Sequence, residues 1–290
     1  MSENKQQSKK LFCFGLGYTA EVFARRAMAS GWQVAGTCRE PARADALRET
    51  GMEMHLFDRD QPLANAGEIL ADVDCLLSSV PPDAEGDAVL DLHGNDIMAT
   101  GSRLAWIGYL STTGVYGTRD GDWVDEQSER RPGAERSRRR VAAEDRWLEL
   151  GAQLFRLAGI YGPGRSVFDQ IKAGRARRIH RPDQVFSRIH VEDVATILQA
   201  SIARPQAGAV YNVCDNEAAP PSDVITHACE LLGIEAPPLV PFEDAGLSDM
   251  ALTFWADNKR VRNDRLKQDL GVELKYPDYR SGLAAILKEA

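Results

Sequence analysis

The short stretch GLGYTA (15–20) follows an apolar run, LFCF, near the start of the chain. Gly15 permits a tight turn, Gly17 lets the backbone come close to a ligand, and Ala20 is small enough for a helix to pack on a sheet. Such a turn, leading from a strand into a helix, presents backbone N–H groups to an anion. The spacing predicts a pyrophosphate site for a dinucleotide, with Tyr18 and Thr19 at the start of the helix. The alternative is a glycine-rich turn without a ligand, which the strand–turn–helix context disfavours.

A second apolar run, WQVAGTCR, ends at Arg39, where dinucleotide-binding folds select their cofactor. An acidic residue there accepts from the ribose 2′-hydroxyl of NAD, whereas an arginine accommodates the 2′-phosphate of NADP. Arg39, with Arg43 one turn further on, favours NADP over a solvated surface charge. Glu40 lies next to Arg39 and keeps NAD as the alternative. Asp58 ends the third strand and is expected either to accept from the adenine amino group or to cap the next turn.

These residues need a sheet that brings them to one edge. From residue 11 onward, short apolar runs alternate with helical patterns, and the fourth and fifth runs are DVDCLLSSV (72–80) and RLAWIGYLST (103–112). Such alternation is typical of right-handed βαβ units and a parallel sheet. Ser79 and Val80 end the fourth strand, and we expect both to contribute to the dinucleotide site.

The pattern predicts an α/β protein with a doubly wound, Rossmann-type parallel sheet of about seven strands. The predicted dinucleotide-binding domain spans residues 11–160 and is completed by 187–215. Residues 161–186 and 216–290 are expected to form a small substrate-binding cap, and the polar residues 1–10 a disordered tail.

The composition limits the partners of the protein. Its 290 residues carry a net charge of −8, which argues against nucleic acid, since duplex binding needs a broad basic surface. Five cysteines without a CxxC motif indicate neither a disulfide framework nor a zinc site and suit a reducing, cytoplasmic setting. The histidines and carboxylates show no metal-ligand spacing. No apolar run reaches the roughly 18 residues of a membrane span.

Four further motifs accompany GLGYTA: LSTTGVYG (110–117), FRLAGIYGPG (155–164), RIHVEDVA (188–195) and VYNVCD (210–215). Together they resemble the extended, epimerase/dehydratase-like branch of the short-chain dehydrogenase/reductase superfamily. In that family a Ser or Thr four residues before the Tyr of VYG hydrogen-bonds the substrate oxygen at which hydride is transferred. The resemblance places Thr112 in this role.

The resemblance breaks where the family carries its catalytic Tyr-xxx-Lys pair. The run VAAE (141–144) marks the register of RSRRRVAAE, so Arg136 falls on the tyrosine position and Arg140 on the lysine position. A guanidinium stays protonated at any workable pH, and Arg136 therefore cannot act as the acid/base. Arg140 is expected to hold the nicotinamide ribose, as the lysine does. Shifting the alignment by one residue places Ser137 and Val141 at the tyrosine and lysine positions, and this pair lacks the tyrosine and the lysine as well.

Two tyrosines are candidates to replace the missing proton donor. Tyr161 follows the sixth strand and is expected near the nicotinamide, whereas Tyr116 belongs to VYG, where the family tyrosine is structural. Packing in a core or a turn is the alternative for both. His190 is expected to be a packing residue.

Arginines form two clusters, one from Arg130 to Arg140 and one from Lys172 to Arg181. They are either solvated surface or an anion site for a phosphate-bearing, small-molecule substrate. The resemblance thus implies an NADP-dependent oxidoreductase or epimerase for a carbonyl or sugar-like anion, with degenerate catalytic residues. The missing tyrosine favours the alternative, a non-catalytic NADP(H)-binding sensor or regulator. By family analogy, helices near 84–100 and 140–150 would form a homodimer.

Overall fold

The structure of the protein is a computed structural model that describes residues 8–289. Residues 1–7 of the predicted tail lie outside this range, and Lys10 begins the first strand.

Thirteen strands are present in this range: β1 (Lys10–Phe14), β2 (Gln33–Cys38), β3 (Glu53–Leu56), β4 (Cys75–Ser78), β5 (Trp106–Thr112), β6 (Trp123–Val124), β7 (Gln153–Leu157), β8 (Gly159–Tyr161), β9 (Arg178–His180), β10 (Arg188–His190), β11 (Val210–Val213), β12 (Leu239–Pro241) and β13 (Arg260–Val261). The α-helices are α1 (Tyr18–Ala29), α2 (Pro41–Arg48), α3 (Ala66–Leu70), α4 (Ala88–Ala99), α5 (Glu135–Glu149), α6 (Val167–Lys172), α7 (Val191–Ala203), α8 (Pro221–Leu232), α9 (Asp249–Trp255), α10 (Asp264–Leu270) and α11 (Tyr279–Glu289). Short 3₁₀ turns occupy Gly101–Arg103, Thr113–Tyr116 and Phe242–Asp244.

Seven strands form one sheet in the order β11-β7-β5-β4-β1-β2-β3. Strand β1 pairs in parallel with both β2 and β4, β2 pairs in parallel with β3, and β4 with β5. The chain therefore runs outward from β1 in one direction and resumes with β4 on its other side, which is the topological switch point where such sheets bind ligands. The predicted α/β class and the sheet of about seven strands are confirmed.

The chain divides into two compact units. Of the described residues, the first contains 8–111, 139–155 and 198–210, and the second contains 112–138, 156–197 and 211–289. This division is not the one drawn from the sequence, and the predicted domain boundaries remain a prediction. Within residues 8–289 no helix is long and apolar enough to cross a bilayer. No three His, Cys, Asp or Glu side chains of the described chain are grouped as a metal site requires.

The core of the first unit packs α5 against β5. The rings of Tyr109 and Trp147 are fully buried and nearly parallel, with centroids 5.4 Å apart. Trp147 Nε1 donates to Asp87 Oδ2 at 2.9 Å, and Asp87 Oδ1 accepts from Leu90 N at the start of α4. Burial raises the pKa of Asp87 above its usual value. One carboxylate thus caps α4 and holds the indole of α5.

A second buried contact ties the end of β5 to α5. Ser111 Oγ donates to Glu144 Oε1 at 2.6 Å, and Glu144 is fully inaccessible to solvent. A carboxylate in such a place needs hydrogen-bond donors, because desolvation otherwise makes its charge costly. Glu144, which ends the run VAAE (141–144) used to align the chain with the family, is therefore a structural group facing β5.

The second unit has its own apolar core between α8 and α11. The buried residues there include Tyr161, Val224, Ala228, Tyr279 and Leu283. Leucine, valine and aromatic side chains at helical spacing supply this packing, as the amphipathic pattern of these helices requires.

We expect Ser111→Ala to lower the free energy of unfolding by about 1–3 kcal/mol, because the variant leaves the buried Glu144 carboxylate short of a donor. Ser30→Ala is a matched control, since Ser30 is exposed and its hydroxyl only meets Arg26 O. Urea denaturation followed by circular dichroism measures both. Equal stability of the two variants would show that the Ser111 hydrogen bond contributes nothing.

Candidate functional site

The turn after β1 is held from both sides. Gly15 N donates to Thr37 Oγ1 at 2.9 Å, and Gly15 O accepts from Ser79 Oγ at 2.5 Å. Gly15 has φ +82°, a conformation that favours glycine, and a Cβ atom there would lie 3.0 Å from Val80 Cγ2. Ser79 and Val80, both predicted as cofactor contacts, thus shape the turn itself.

Helix α1 begins directly beyond this turn, with Gly17 as its N-cap residue. A Cβ atom at Gly17 would meet no atom within 4 Å, and no side chain caps the helix. Glu21 N is bonded to Gly17 O at 2.8 Å, while Leu16 N and Gly17 N of the turn are bonded to Thr37 O and Gly15 O. Thr19 and Ala20 are buried beneath the turn. Open space at a helix N-terminus suits the pyrophosphate of a dinucleotide.

Of the two arginines predicted for the 2′-phosphate, only one is free. Arg43 donates to Glu21 of α1, which also accepts from Arg25 at 2.8 Å. Burial alone would raise the pKa of Glu21, but these two arginines hold it below its usual value. Arg39 is exposed at the end of β2, and its guanidinium has no hydrogen bond or ion pair with any of residues 8–289. Glu40, also exposed, precedes α2 without capping it through its side chain.

Asp58 has a local role in the structure. Its Oδ1 accepts from Asp60 N at 2.9 Å and from Gln61 N at 2.8 Å. The carboxylate therefore caps the turn after β3, one of the two roles expected for it. Its contact with adenine remains a prediction.

Thr112, the last residue of β5, lies at the start of a 3₁₀ turn. Its Oγ1 accepts from Gly114 N at 3.1 Å, which leaves the hydroxyl proton available for a ligand. Tyr116, at the end of the turn, is fully buried; its hydroxyl donates to Asn212 Oδ1 at 2.7 Å and accepts from Arg156 Nη1 at 2.8 Å. Burial raises the pKa of Tyr116 to about 12. These contacts make Tyr116 a packing residue.

Arg140 lies against β5. Its Nη1 donates to Leu110 O at 2.5 Å, and its guanidinium carbon is 5.6 Å from the centroid of the Tyr109 ring. The guanidinium is thereby oriented by β5. The predicted contact of Arg140 with the nicotinamide ribose remains a prediction.

Arg136 and Ser137, both in the first turn of α5, lie in different surroundings. The guanidinium carbon of Arg136 lies 3.9 Å from the centroid of the Phe254 ring in α9. Ser137 is only 5% exposed, and a Cβ atom at Gly114 would lie 3.0 Å from Ser137 Oγ and 3.4 Å from Thr112 Oγ1. Ser137 thus lies beside Thr112, a placement that the sequence alignment to the family set aside. The signal was available: Ser137 is a small polar residue inside a run of arginines.

Tyr161 is buried in the second unit. Its hydroxyl donates to Asp278 O at 3.4 Å, and a Cβ atom at Gly282 would lie 2.1 Å from that hydroxyl oxygen. Burial, together with the Asp215 carboxylate and others nearby, raises the pKa of Tyr161. Close packing and a raised pKa both weaken the predicted role of Tyr161 as proton donor.

His190 packs between two aromatic rings, with centroids 5.2 Å from Tyr161 and 4.1 Å from Tyr276. Burial lowers the pKa of His190 to about 4, so the imidazole is neutral near pH 7. Its Nδ1 accepts from Glu192 N at 3.2 Å. This arrangement is that of a packing residue.

Several arginines of the two clusters have structural partners. Arg178 donates to Pro237 O at 3.0 Å, and Arg181 to Trp255 O at 2.5 Å. Arg138 pairs with Glu135 at 2.7 Å. In contrast, an exposed basic group without ion pairs to the described residues lies at the end of α6 and just beyond it; its members are Lys172, Arg175 and Arg177.

No protein-family model and no curated protein matches the chain, but solved structures do. A conserved, functionally unknown protein from Silicibacter pomeroyi is 50% identical over 98% of this chain and 99% of that chain, with a TM-score of 0.91. A dTDP-glucose 4,6-dehydratase from Bacillus anthracis, solved with NAD, is 15% identical over 97% and 96% of the chains, with a TM-score of 0.72. The human epimerase family protein SDR39U1, solved with NADPH, is 14% identical over 97% and 100%, with a TM-score of 0.72.

We expect Gly17→Val to fold and to lose dinucleotide binding. Gly17 has φ −85° and ψ −170°, which valine adopts readily, and its side chain would fill the open space in front of α1. Gly94→Val in α4 is the control, because a Cβ atom there also meets nothing within 4 Å. Calorimetric titration with NADPH and thermal melting measure both properties. Unchanged affinity in a folded Gly17→Val protein would place the dinucleotide elsewhere.

Proposed function

This chain belongs to the family of the conserved Silicibacter pomeroyi protein and has the short-chain dehydrogenase/reductase fold, and we propose that it is an NADP-dependent oxidoreductase or epimerase. Its substrate is a carbonyl or sugar-like small molecule that carries negative charge. The observation that carries the proposal is the combination of an open glycine turn before α1 with an unpaired Arg39 at the end of β2.

Arg39 supports NADP over NAD. Its guanidinium has no partner in the described chain, whereas Arg43 is engaged by Glu21. A forked guanidinium suits a phosphate, and an exposed one can reach it without breaking an existing ion pair. The human structural neighbour was solved with NADPH and the Bacillus anthracis dehydratase with NAD, so the shared fold accommodates both cofactors. The bound cofactor would supply or accept the hydride.

The substrate side of the proposal rests on Thr112 and on the basic group after α6. The Thr112 hydroxyl accepts from Gly114 N and keeps its own proton to donate to a substrate oxygen. Lys172, Arg175 and Arg177 are exposed and supply the positive charge that a phosphate-bearing substrate needs. The name of the Bacillus anthracis neighbour indicates a nucleotide sugar, which has this chemistry.

A specific observation favours a second candidate, a non-catalytic NADP(H)-binding sensor. Arg136 stands where the family has its tyrosine and stacks on Phe254, and the Tyr161 hydroxyl is packed against α11. Loss of a general acid typically slows a reaction by about 10²–10⁴-fold. Slow turnover is therefore expected from the enzyme and none from the sensor.

The two candidates are separated by assaying the purified protein with NADPH and NADP⁺. A panel of aldehydes, ketones and nucleotide sugars is screened for NADPH oxidation by absorbance and for epimerisation by NMR. Turnover of any of these supports the enzyme. Firm NADPH binding without turnover of any compound supports the sensor and contradicts the enzyme.

Arg39→Ala should weaken NADPH binding roughly 10- to 100-fold and leave NADH binding nearly unchanged, since a charge-assisted contact contributes about 1.5–3 kcal/mol. Arg204→Ala, another exposed arginine, follows α7 and serves as the control. Calorimetry with each cofactor gives the ratio of affinities. Equal losses for NADPH and NADH, or no loss for either, would rule out Arg39 as the group that selects NADP.

A further inference from the structure

We propose that Ser137 is a catalytic residue, which binds the reacting oxygen of the substrate together with Thr112. This inference rests on the proposed function, because it concerns the carbonyl substrate of that reaction. In this arrangement two neutral hydroxyls take the place of the family's tyrosine.

The Ser137 hydroxyl lacks a protein partner. Although Ser137 is 5% exposed, no hydrogen bond joins its Oγ to another residue in the described range 8–289. Its backbone N–H is bonded to Ala134 O at 3.0 Å, so only the side chain is left unsatisfied. The Oγ atom is not among the solvent-inaccessible side-chain atoms that lack a partner, so it stays open to water or to a ligand although the whole residue is only 5% exposed. Ser137 therefore offers a hydroxyl that a substrate oxygen can reach.

The Ser137 hydroxyl lies near that of Thr112. A Cβ atom at Gly114 would lie 3.0 Å from Ser137 Oγ and 3.4 Å from Thr112 Oγ1, so both hydroxyls pack closely against Gly114. The lack of a side chain at Gly114 allows this close approach. Thr112 Oγ1 is already an acceptor for Gly114 N, and its proton remains to be donated. A carbonyl oxygen within reach of both hydroxyls can accept from both, using its two lone pairs.

The segment that leads to Ser137 is closely held. Gly117 has φ +64°, and a Cβ atom there would lie 2.0 Å from Arg131 O, so the loop before α5 packs directly against the end of the VYG motif. Arg136, the residue before Ser137, stacks on Phe254 in α9. Both contacts define where the first turn of α5 lies. A donor held in place before reaction stabilises developing charge more than a mobile one.

In this proposal the two hydroxyls stabilise negative charge on the substrate oxygen and do not donate a proton to it. Bound NADPH would supply a hydride to the carbonyl carbon, and the π pair of the C=O bond would become a lone pair on oxygen. Hydrogen bonds from Ser137 and Thr112 stabilise this oxygen. The oxygen would then take a proton from water, which leaves hydroxide, because a serine or threonine hydroxyl is a poor acid.

The test compares Ser137→Ala, Ser137→Thr and Gly114→Ala with the wild type, using the aldehyde, ketone or nucleotide sugar that the wild type reduces fastest. We expect Ser137→Ala to lower kcat about 10²–10³-fold, as the loss of an oxyanion donor does. Ser137→Thr keeps the hydroxyl and should restore much of kcat. Gly114→Ala, whose Cβ atom would press on both hydroxyls and shift them, should raise KM for the carbonyl substrate. Ser30→Ala is the control outside this site.

Two readouts other than turnover accompany the assay. Calorimetry should show unchanged NADPH affinity in Ser137→Ala, together with weaker binding of the alcohol product to the NADP⁺ complex. A crystal structure of the wild type with NADP⁺ and that alcohol should place its oxygen within hydrogen-bond distance of both hydroxyls. Thermal melting checks that each variant is folded.

The outcomes distinguish the inference from the proposed function. A folded Ser137→Ala protein with unchanged kcat and product affinity overturns the role of Ser137 while the oxidoreductase stands. If Ser137→Ala does not fold, a product oxygen bound away from Ser137 in the crystal overturns it equally. Firm NADPH binding with no turnover by the wild type overturns the proposed function, and this inference with it.

Discussion

The register of α5 against β5 is the constraint on which the candidate site depends. It is set by the buried hydrogen bond from Ser111 to Glu144 and by the contact of Arg140 with Leu110 O. An α-helix advances about 100° per residue, so seven residues return to within roughly 20° of the starting direction. Ser137 lies seven residues before Glu144, whereas Arg136 lies eight before it and is turned about 80° away. The face of α5 that meets β5 therefore carries Ser137, Arg140 and Glu144, and Arg136 is displaced towards Phe254.

The basic stretch in an acidic chain has several physical roles at once. Arg140 donates a hydrogen bond to a carbonyl oxygen of β5, Arg138 forms an ion pair with Glu135, and Arg136 stacks on an aromatic ring. Exposed pairs such as that of Arg138 add only about 0–1 kcal/mol, so stability alone gives little reason for so many arginines. Guanidinium groups do, however, combine charge with planar stacking and several donors, which lysine cannot match. Within the first turns of α5 these arginines thus combine their charge with specific contacts.

The site proposed here does not depend on a titrating tyrosine. Tyr116 and Tyr161 are both buried, and desolvation raises the pKa of each, which disfavours the tyrosinate. The hydroxyls of Thr112 and Ser137 are neutral across the physiological range, so they can donate hydrogen bonds without changing charge. A site of this kind stabilises negative charge through fixed dipoles and leaves the exchange of protons to water.

The sequence by itself determined the α/β class, the sheet of about seven strands and the strand–turn–helix at GLGYTA. These follow from local patterns, since apolar runs of strand length alternate with helical periodicity and glycine allows the positive φ of Gly15. Tertiary structure alone decided which polar groups are free. Arg39 and Arg43 look equivalent in sequence, but Glu21, 22 residues before Arg43, engages only one of them. Likewise, Ser137 gains its importance from Gly114 and Thr112, more than twenty residues earlier, because the packing of α5 on β5 brings its hydroxyl beside them. Pairings over such separations depend on how elements pack, and no local pattern records them.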